Sequence, residues 1–302
     1  MITVKVPATS ANMGPAYDCM GVALGLFNTI TVEETEGGIE IVQQGAFARH
    51  VPTDERNLVY RSMKRVFDET GRTPRGIRLV VTSNIPSTRG LGSSAACIAG
   101  GMVAANAVYG MLSLSDILYL AATQEGHPDN VTPCLVGGAA AAVLSGKRVY
   151  YTKMALPQSL RFAVFSPEFT LQTKKARGRL PMRVSHADAV FNAGRSALLA
   201  ASLSQGKWEN LFLAMDDRLH QPYRKSMVLG MDAIFDACRK NGALGCYLSG
   251  AGPSLAAVVD KNHEAFESNM NRFLKGLSKA WTLRMLPVDN HGISVTKTAA
   301  FS

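Results

Sequence analysis

Apolar and polar positions alternate with a period of two in several short runs near the start of the chain. Residues 2–6, 28–34 and 39–43 each carry this pattern, which predicts three strands. Over 57–70 the period lengthens. Leu58, Val59, Met63, Val66 and Phe67 fall on one helical face, and Gly71 supplies the stop. A strand is expected over 77–83, then a glycine-rich turn and a long small-residue helix from about Ser93 to Tyr109. Ser113 and Asp116 begin a further helix over 113–124. Beyond it, strands are expected over 137–144, 148–153 and 160–166, and helices near 186–204 and 227–240. Strands over 244–249 and 254–259, a helix near 263–275 and a strand over 281–286 complete the series. Strands and helices alternate irregularly, with hairpin-like neighbours, so an α+β fold is expected rather than a doubly wound sheet. A chain of 302 residues suggests two domains, 1–154 and 155–302, although no linker composition marks the division.

Composition narrows the class. A hydrophobic share of 47% with 18% charged residues fits an ordinary globular protein. The longest apolar run, 95–112, is broken by Asn106 and rich in glycine and alanine, which favours a buried helix over a membrane span. "MITVKVPATS" passes directly into strand alternation, without the apolar segment of a secretory signal. The five cysteines are odd in number and widely spaced, with no C-x-x-C. That argues against a disulfide framework or zinc site and fits a reducing cytoplasm. The net charge of +9 suits either nucleic acid or an anionic small molecule. Its cations are dispersed, and the densest cluster, 174–183, holds five of them and no aromatic residue. The small molecule is therefore the favoured reading, and no nucleic-acid or membrane partner is expected.

Four stretches carry candidate chemistry. "IPSTRGLGSSAA" (85–96) follows a strand and opens a helix. Its glycines permit a tight turn and close ligand approach, and the helix start offers unpaired N–H groups to an anion. A serine hydroxyl there suits Mg²⁺. Read alone, the stretch is equally a capped helix after a glycine turn. "VPATSANMGPAYDCMGVAL" (6–24) places Asp18, the only acid in the first 32 residues, among Thr9, Ser10 and Asn12. It suits a small cationic or hydroxyl group, or simply an Asx-turn. "EGHPDNVTP" (125–133) gathers Glu125, His127, Asp129 and Asn130 in a loop after a helix. A carboxylate there suits Mg²⁺, whereas the spacing excludes a zinc pattern. "YLSGAGPSLAA" (247–257) reads as a hairpin turn, or as a second glycine surface against the same ligand.

Together and in this order, these stretches resemble the GHMP kinase superfamily. "PSTRGLGSSAA" matches its central motif and "SGAGPS" its C-terminal glycine motif. The similarity is strongest to the branch acting on L-homoserine and spans nearly the whole chain. It implies an N-terminal half like ribosomal protein S5 domain 2 and a ferredoxin-like C-terminal half. It also implies ATP and Mg²⁺ as cofactors, L-homoserine as substrate, and a role in threonine biosynthesis. Carried over by position, the ATP phosphates are cradled by Pro86, Ser87, Thr88, Arg89, Gly90, Leu91, Gly92, Ser93, Ser94, Ala95 and Ala96. Ser94 and Glu125 hold the metal, and Asn57 contacts adenine. Asn12, Asp18, His127 and Asp129 form the amino-acid pocket. Thr173, Arg177 and Arg224 surround the substrate and transferred phosphate, and Gly252 sits in the loop that closes the pocket. Asn12, Asp18, Glu125, Thr173 and Arg177 form the catalytic set.

The chain departs from the family at Ala16 and Tyr17, where Gly and Phe are usual, and a left-handed Ala16 would be strained. Asn130 stands near the position of an aspartate in other superfamily kinases, and an amide is no general base. Competing readings are a kinase of another alcohol, a silent ligand sensor, or an RNA-binding protein. Ser94 and Glu125 argue against the silent sensor, and the lack of aromatic RNA-reading strands argues against the last. Nothing in the sequence decides against a homodimer.

Overall fold

A computed structural model describes residues 1–49, 51–260 and 264–298. The expected α+β class is the one observed. In chain order the elements are β1 (Ile2–Ala11), β2 (Met20–Thr35), β3 (Gly38–Gln44), α1 (Leu58–Thr70), β4 (Gly76–Thr82), α2 (Ser93–Tyr109) and α3 (Leu114–Glu125). Next come α4 (Pro128–Val136), β5 (Ala139–Ser145), β6 (Arg148–Met154), β7 (Leu160–Pro167), α5 (Thr173–Arg177) and α6 (His186–Gln205). The remainder is α7 (Leu211–Ala214), α8 (Gln221–Arg224), α9 (Met231–Lys240), β8 (Gly245–Leu248), β9 (Leu255–Asp260), α10 (Glu264–Leu274), β10 (Trp281–Pro287) and β11 (Ser294–Lys297).

The strands among the described residues form two sheets. The first runs β11-β1-β2-β4-β3, with the β5–β6 hairpin joined to the far end of β2; only β3–β4 is parallel. The second runs β10-β7-β9-β8 and is antiparallel throughout. With α6 and α9 before β8 and α10 before β10, that order is the split β-α-β arrangement expected of a ferredoxin-like half. The chain passes between sheets at Met154–Leu160. Its last strand, β11, returns to pair with β1.

Small residues let α2 lie deep in the first half. A Cβ on Gly100 would stand 2.5 Å from Ile30 Cδ1, and one on Gly101 2.5 Å from the Val59 carbonyl oxygen. Sheet and α1 thus close on it from both sides, and the apolar run is a buried helix. Alternation in the second sheet sends Phe162, Val164, Ala256 and Val258 into the core shared with the first half. Ala163, Phe165, Leu255 and Ala257 face a second core under α9 and α10. The halves meet along a packed face, so a cleft at its rim is built from both. No helix among the described residues is long and apolar enough to cross a membrane.

Two expectations need correction. "HPDNVTP" is not a loop returning to strands; α4 begins at Pro128. Proline is tolerated at the first helical position, and Pro133 deprives only the Asp129 carbonyl of a helical partner. Gly21 of β2 gives that carbonyl room, since a Cβ there would overlap it. β1 also runs on to Ala11, well beyond the residue expected to end it.

Candidate active site

A cleft open to solvent lies between the halves and is lined by residues of both. Its floor is the turn before α2. Positive φ recurs at Thr88 (53°), Gly90 (73°) and Gly92 (64°), so successive N–H groups are turned to one side as an anion nest. Gly92 caps α2 with no side-chain hydrogen bond. The Ala96 N–H closes onto the Gly92 carbonyl at 2.8 Å, which leaves Ser93, Ser94 and Ala95 N–H without intrahelical acceptors. The helix dipole adds positive potential at the same point.

The second glycine turn presses on the first. Ser249 Oγ donates to the Gly90 carbonyl at 2.5 Å, and a side chain on Gly90 would overlap the Ser249 carbonyl. Asn12 Nδ2 donates to Gly250 O at 2.9 Å, while its Oδ1 accepts from the Asp18 N–H at 3.0 Å. The Asn12 amide thus ties the two halves together and keeps one N–H for the cleft. Arg89 donates to the Pro167 and Glu168 carbonyls at 3.2 and 2.9 Å, fastening the turn to the second half.

Ser94 Oγ donates to Glu125 Oε2 at 2.7 Å, so the expected metal pair meets across 31 residues of sequence. Burial raises the Glu125 carboxyl pKa, and the Ser94 bond and His127 only partly offset this. Hydroxyl and carboxylate oxygens beside an anion nest fit Mg²⁺, a hard ion.

Beyond them Asp18, His127 and Asp129 bring their polar atoms within 4.8 Å of one another. His127 Nδ1 bonds Asp129 Oδ1. Burial works against the imidazolium, but Asp129 outweighs it, and the pKa of His127 rises. Asn130 is fixed by its neighbours: Thr9 Oγ1 donates to its Oδ1 at 2.7 Å, and its Nδ2 donates to Asp129 at 3.2 Å. Arg177 of α5 grips Asp18 with two hydrogen bonds of 2.8 and 2.7 Å. Thr173, at the start of α5, lines the cleft beside it.

Arg224 is 1% exposed. Its guanidinium donates to Gly250 O (3.2 Å), His220 Nδ1 (3.2 Å), Ala176 O (3.4 Å) and Tyr17 OH (3.5 Å), and no carboxylate pairs with it among the described residues. Burial lowers its pKa, yet an arginine stays charged. His220 is held neutral. Burial, with Arg224 against the ring, outweighs Asp217 at 3.5 Å and lowers its pKa. The Asp217 carboxylate is already satisfied by Asn192 Nδ2 and the N–H groups of Leu219, His220 and Gln221. His220 Nε2–H therefore donates to Gly14 O at 2.7 Å, and Nδ1 accepts from Arg224. Tyr17 lies under both arginines, its ring centroid 5.3 Å from the Arg177 guanidinium carbon and 5.2 Å from that of Arg224.

Not every expected residue lines this cleft. Ala95 and Ala96 are buried beneath the turn. Asn57 and Ser87 line a smaller cavity that adjoins at Ser93. The Asn57 amide is committed elsewhere: Oδ1 accepts from Val59 and Tyr60 N–H as the cap of α1, and Nδ2 donates to Pro52 O. Ala16 has an ordinary φ; the left-handed residues of that turn are Asn12 (69°), Met13 (42°), Gly14 (93°) and Asp18 (58°). Tyr17 lines the cleft and was not among the expected site residues. The side-chain amide of Gln43, in the smaller cavity, has no hydrogen-bond partner.

The profile of the GHMP kinases N terminal domain matches residues 57–138, and that of the GHMP kinases C terminal domain matches residues 198–276. A homoserine kinase of Caldicellulosiruptor bescii is 50% identical over 298 residues, covering 98% of this chain and 97% of its own. The chain belongs to the GHMP kinase family. A homoserine kinase of Petrotoga mobilis is 44% identical over 98% of the chain and 96% of its own length. Among solved structures, homoserine kinase from Cytophaga hutchinsonii superposes with a TM-score of 0.88 at 29% identity, covering 98% of this GHMP kinase and 97% of the other chain. L. major mevalonate kinase, at 15% identity and a TM-score of 0.70 over 94% of each chain, shares the fold.

Proposed function

We propose that this chain transfers the γ-phosphoryl group of ATP to the side-chain hydroxyl of L-homoserine, giving O-phospho-L-homoserine and ADP. One observation carries the reading. A site of both charge signs, with Asp18, His127 and Asp129 on one side and Arg177 and Arg224 on the other, adjoins an anion nest. A zwitterionic alcohol fits the first and a phosphate chain the second. The relatives named homoserine kinase support the same substrate.

The substrate ammonium goes to Asp18 and Asp129, and its carboxylate to the arginines. Arg177 pairs with Asp18, so a bound zwitterion exchanges one ion pair for two. The nest holds the β- and γ-phosphates in place of a lysine. Ser94 and Glu125 would hold Mg²⁺, which would supply charge neutralisation for the phosphates. The new bond joins the substrate oxygen to the γ-phosphorus as the β–γ bridging bond breaks. With Asn130 an amide held by Thr9, no side chain serves as general base, and the hydroxyl proton leaves late to a phosphate oxygen or water. Alignment and charge stabilisation carry the rate. The free cysteines support a reducing cytoplasm, and the division at 154/155 is retained as part of this reading.

Coupled-assay turnover with ATP and Mg²⁺ tests it. L-Homoserine is expected to exceed mevalonate, galactose and shikimate by at least about 10²-fold in kcat/KM, because mevalonate and shikimate bring no ammonium and galactose brings neither charge, so charges of the site stay unpaired. Comparable turnover of galactose, which carries neither charge, would refute the assignment.

A further inference from the structure

His220 is a buried imidazole that the phosphoryl-transfer chemistry does not use. It is inaccessible to solvent and caps the short helix α8, one turn ahead of Arg224. Both ring nitrogens are occupied. Nε2–H donates to Gly14 O at 2.7 Å, and Nδ1 accepts from Arg224 Nη1 at 3.2 Å. Gly14 belongs to the left-handed turn that carries Asn12 and Asp18, so one ring joins that turn to the buried guanidinium. The ring is itself held in place. The His220 N–H donates to Asp217 Oδ2 at 3.0 Å, Asn192 Nδ2 links Asp217 to Pro15 O, and the Tyr17 ring packs 5.2 Å away, centroid to centroid. The other three acceptors of Arg224 come from elsewhere: Gly250 O from the second glycine turn, Ala176 O from α5 and Tyr17 OH from the first turn. A carboxylate in place of His220 would orient the guanidinium too, but would also neutralise it. A ring lone pair fixes direction and leaves the positive charge unspent. Burial lowers the ring's pKa and Arg224 adds to this, against Asp217 and Asp18. A proton on Nδ1 would set N–H against N–H and cation against cation.

We infer that His220 is a positioning residue, whose Nδ1 lone pair aims the Arg224 guanidinium at the cleft without neutralising it. The inference rests on the kinase reading above, in which Arg224 meets an anionic group of the substrate or the transferring phosphoryl group. His220 touches neither. It acts through Arg224, and its hold on Gly14 O keeps the ring from turning.

The test is a double-mutant cycle on the full chain, assayed with ATP, Mg²⁺ and L-homoserine. His220→Phe keeps the ring's shape and removes both nitrogens. It is expected to lower kcat/KM for L-homoserine by about 10–10²-fold, because a hydrogen bond to a charged group is lost. In a chain already carrying Arg224→Met, the same change costs less than about threefold, since its effect runs through that guanidinium. His220→Asn, whose Oδ1 stands near the place of Nδ1, recovers most of the activity. His220→Gln, whose amide reaches only the place of Nε2, does not. The tautomer is a further readout that needs no substitution. An ordinary histidine is half protonated at pH 6.5, whereas ¹⁵N shifts of the unaltered protein at that pH are expected to show His220 with Nε2 protonated and Nδ1 bare. Should His220→Phe fail to fold, the Asn–Gln comparison and the tautomer decide. Equal losses from His220→Phe with and without Arg224, Gln recovering as well as Asn, or a proton on Nδ1 at that pH would overturn the assignment. No turnover of L-homoserine by the unaltered protein would overturn the kinase reading and this inference together.

Discussion

Gly92→Ala lowers kcat/KM for ATP by about 10²–10³-fold, the range seen when one preorganised main-chain donor is lost. Gly92 stands at φ 64° as the cap of α2, and an alanine in left-handed backbone costs about 1–2 kcal/mol. Its methyl group would also overlap Thr9 Oγ1. Thr9 holds Asn130, and Asn130 holds Asp129, so displacement passes from the phosphate nest into the amino-acid pocket. Gly110→Ala is the matched control. Gly110 caps the other end of α2 at φ 67°, with no atom within 4 Å of an added Cβ. It pays a similar backbone cost, seen by thermal denaturation, and keeps full activity. Equal kinetic losses in the two variants would show that the turn is merely structural.

Arg224→Met is expected to reduce kcat/KM for L-homoserine by about 10²–10³-fold, because truncating one member of a buried charge pair costs about 2–5 kcal/mol. Arg224 is one of the largest fully buried side chains among the described residues, and a buried charge is costly unless paired. On the proposed function its counter-ion is the anion that enters the cleft. Removing Arg224 relieves a buried charge but leaves four acceptors without their donor, so thermal denaturation of the variant is read beside its turnover. Arg224→Lys does not rescue it: the fork spans Gly250 O, His220 Nδ1, Ala176 O and Tyr17 OH, and a single ammonium cannot reach all four. A loss confined to KM assigns Arg224 to the substrate carboxylate; one confined to kcat assigns it to the transferring phosphoryl group. Activity within about threefold of the parent would remove Arg224 from the site.

Much of the fold was legible because its signals are local. Alternation marks β1–β4, and the 3.6-residue period with Asn57 and Gly71 at its ends marks α1. α4 was hidden because its prolines read as breakers. Pro128 sits where proline is harmless, and Pro133 is tolerated through room left by Gly21, 112 residues earlier in the chain. β11 was invisible for another reason. All four of its residues are exposed, so it has no alternation, and only the edge of β1 orders it. In the site, the Gly90–Gly92 turn could be argued from backbone physics alone. The Ser94–Glu125 pair could not, because only the packing of α2 against α3 joins them; family resemblance supplied it. Residue chemistry alone did not separate Arg224 from Lys225, which pairs with Asp232 at the surface; the family resemblance singled it out, and burial gives the physical difference.

The claim on which the whole account turns is that main-chain N–H groups at the head of α2 hold the nucleotide's phosphates without a lysine. A crystal structure with a non-hydrolysable ATP analogue and Mg²⁺ measures this directly. The account predicts β- and γ-phosphate oxygens within about 3 Å of N–H groups between Gly90 and Ala95, with Ser94 and Glu125 facing the metal. Phosphates bound instead to lysine side chains, or lodged away from this turn, would contradict it.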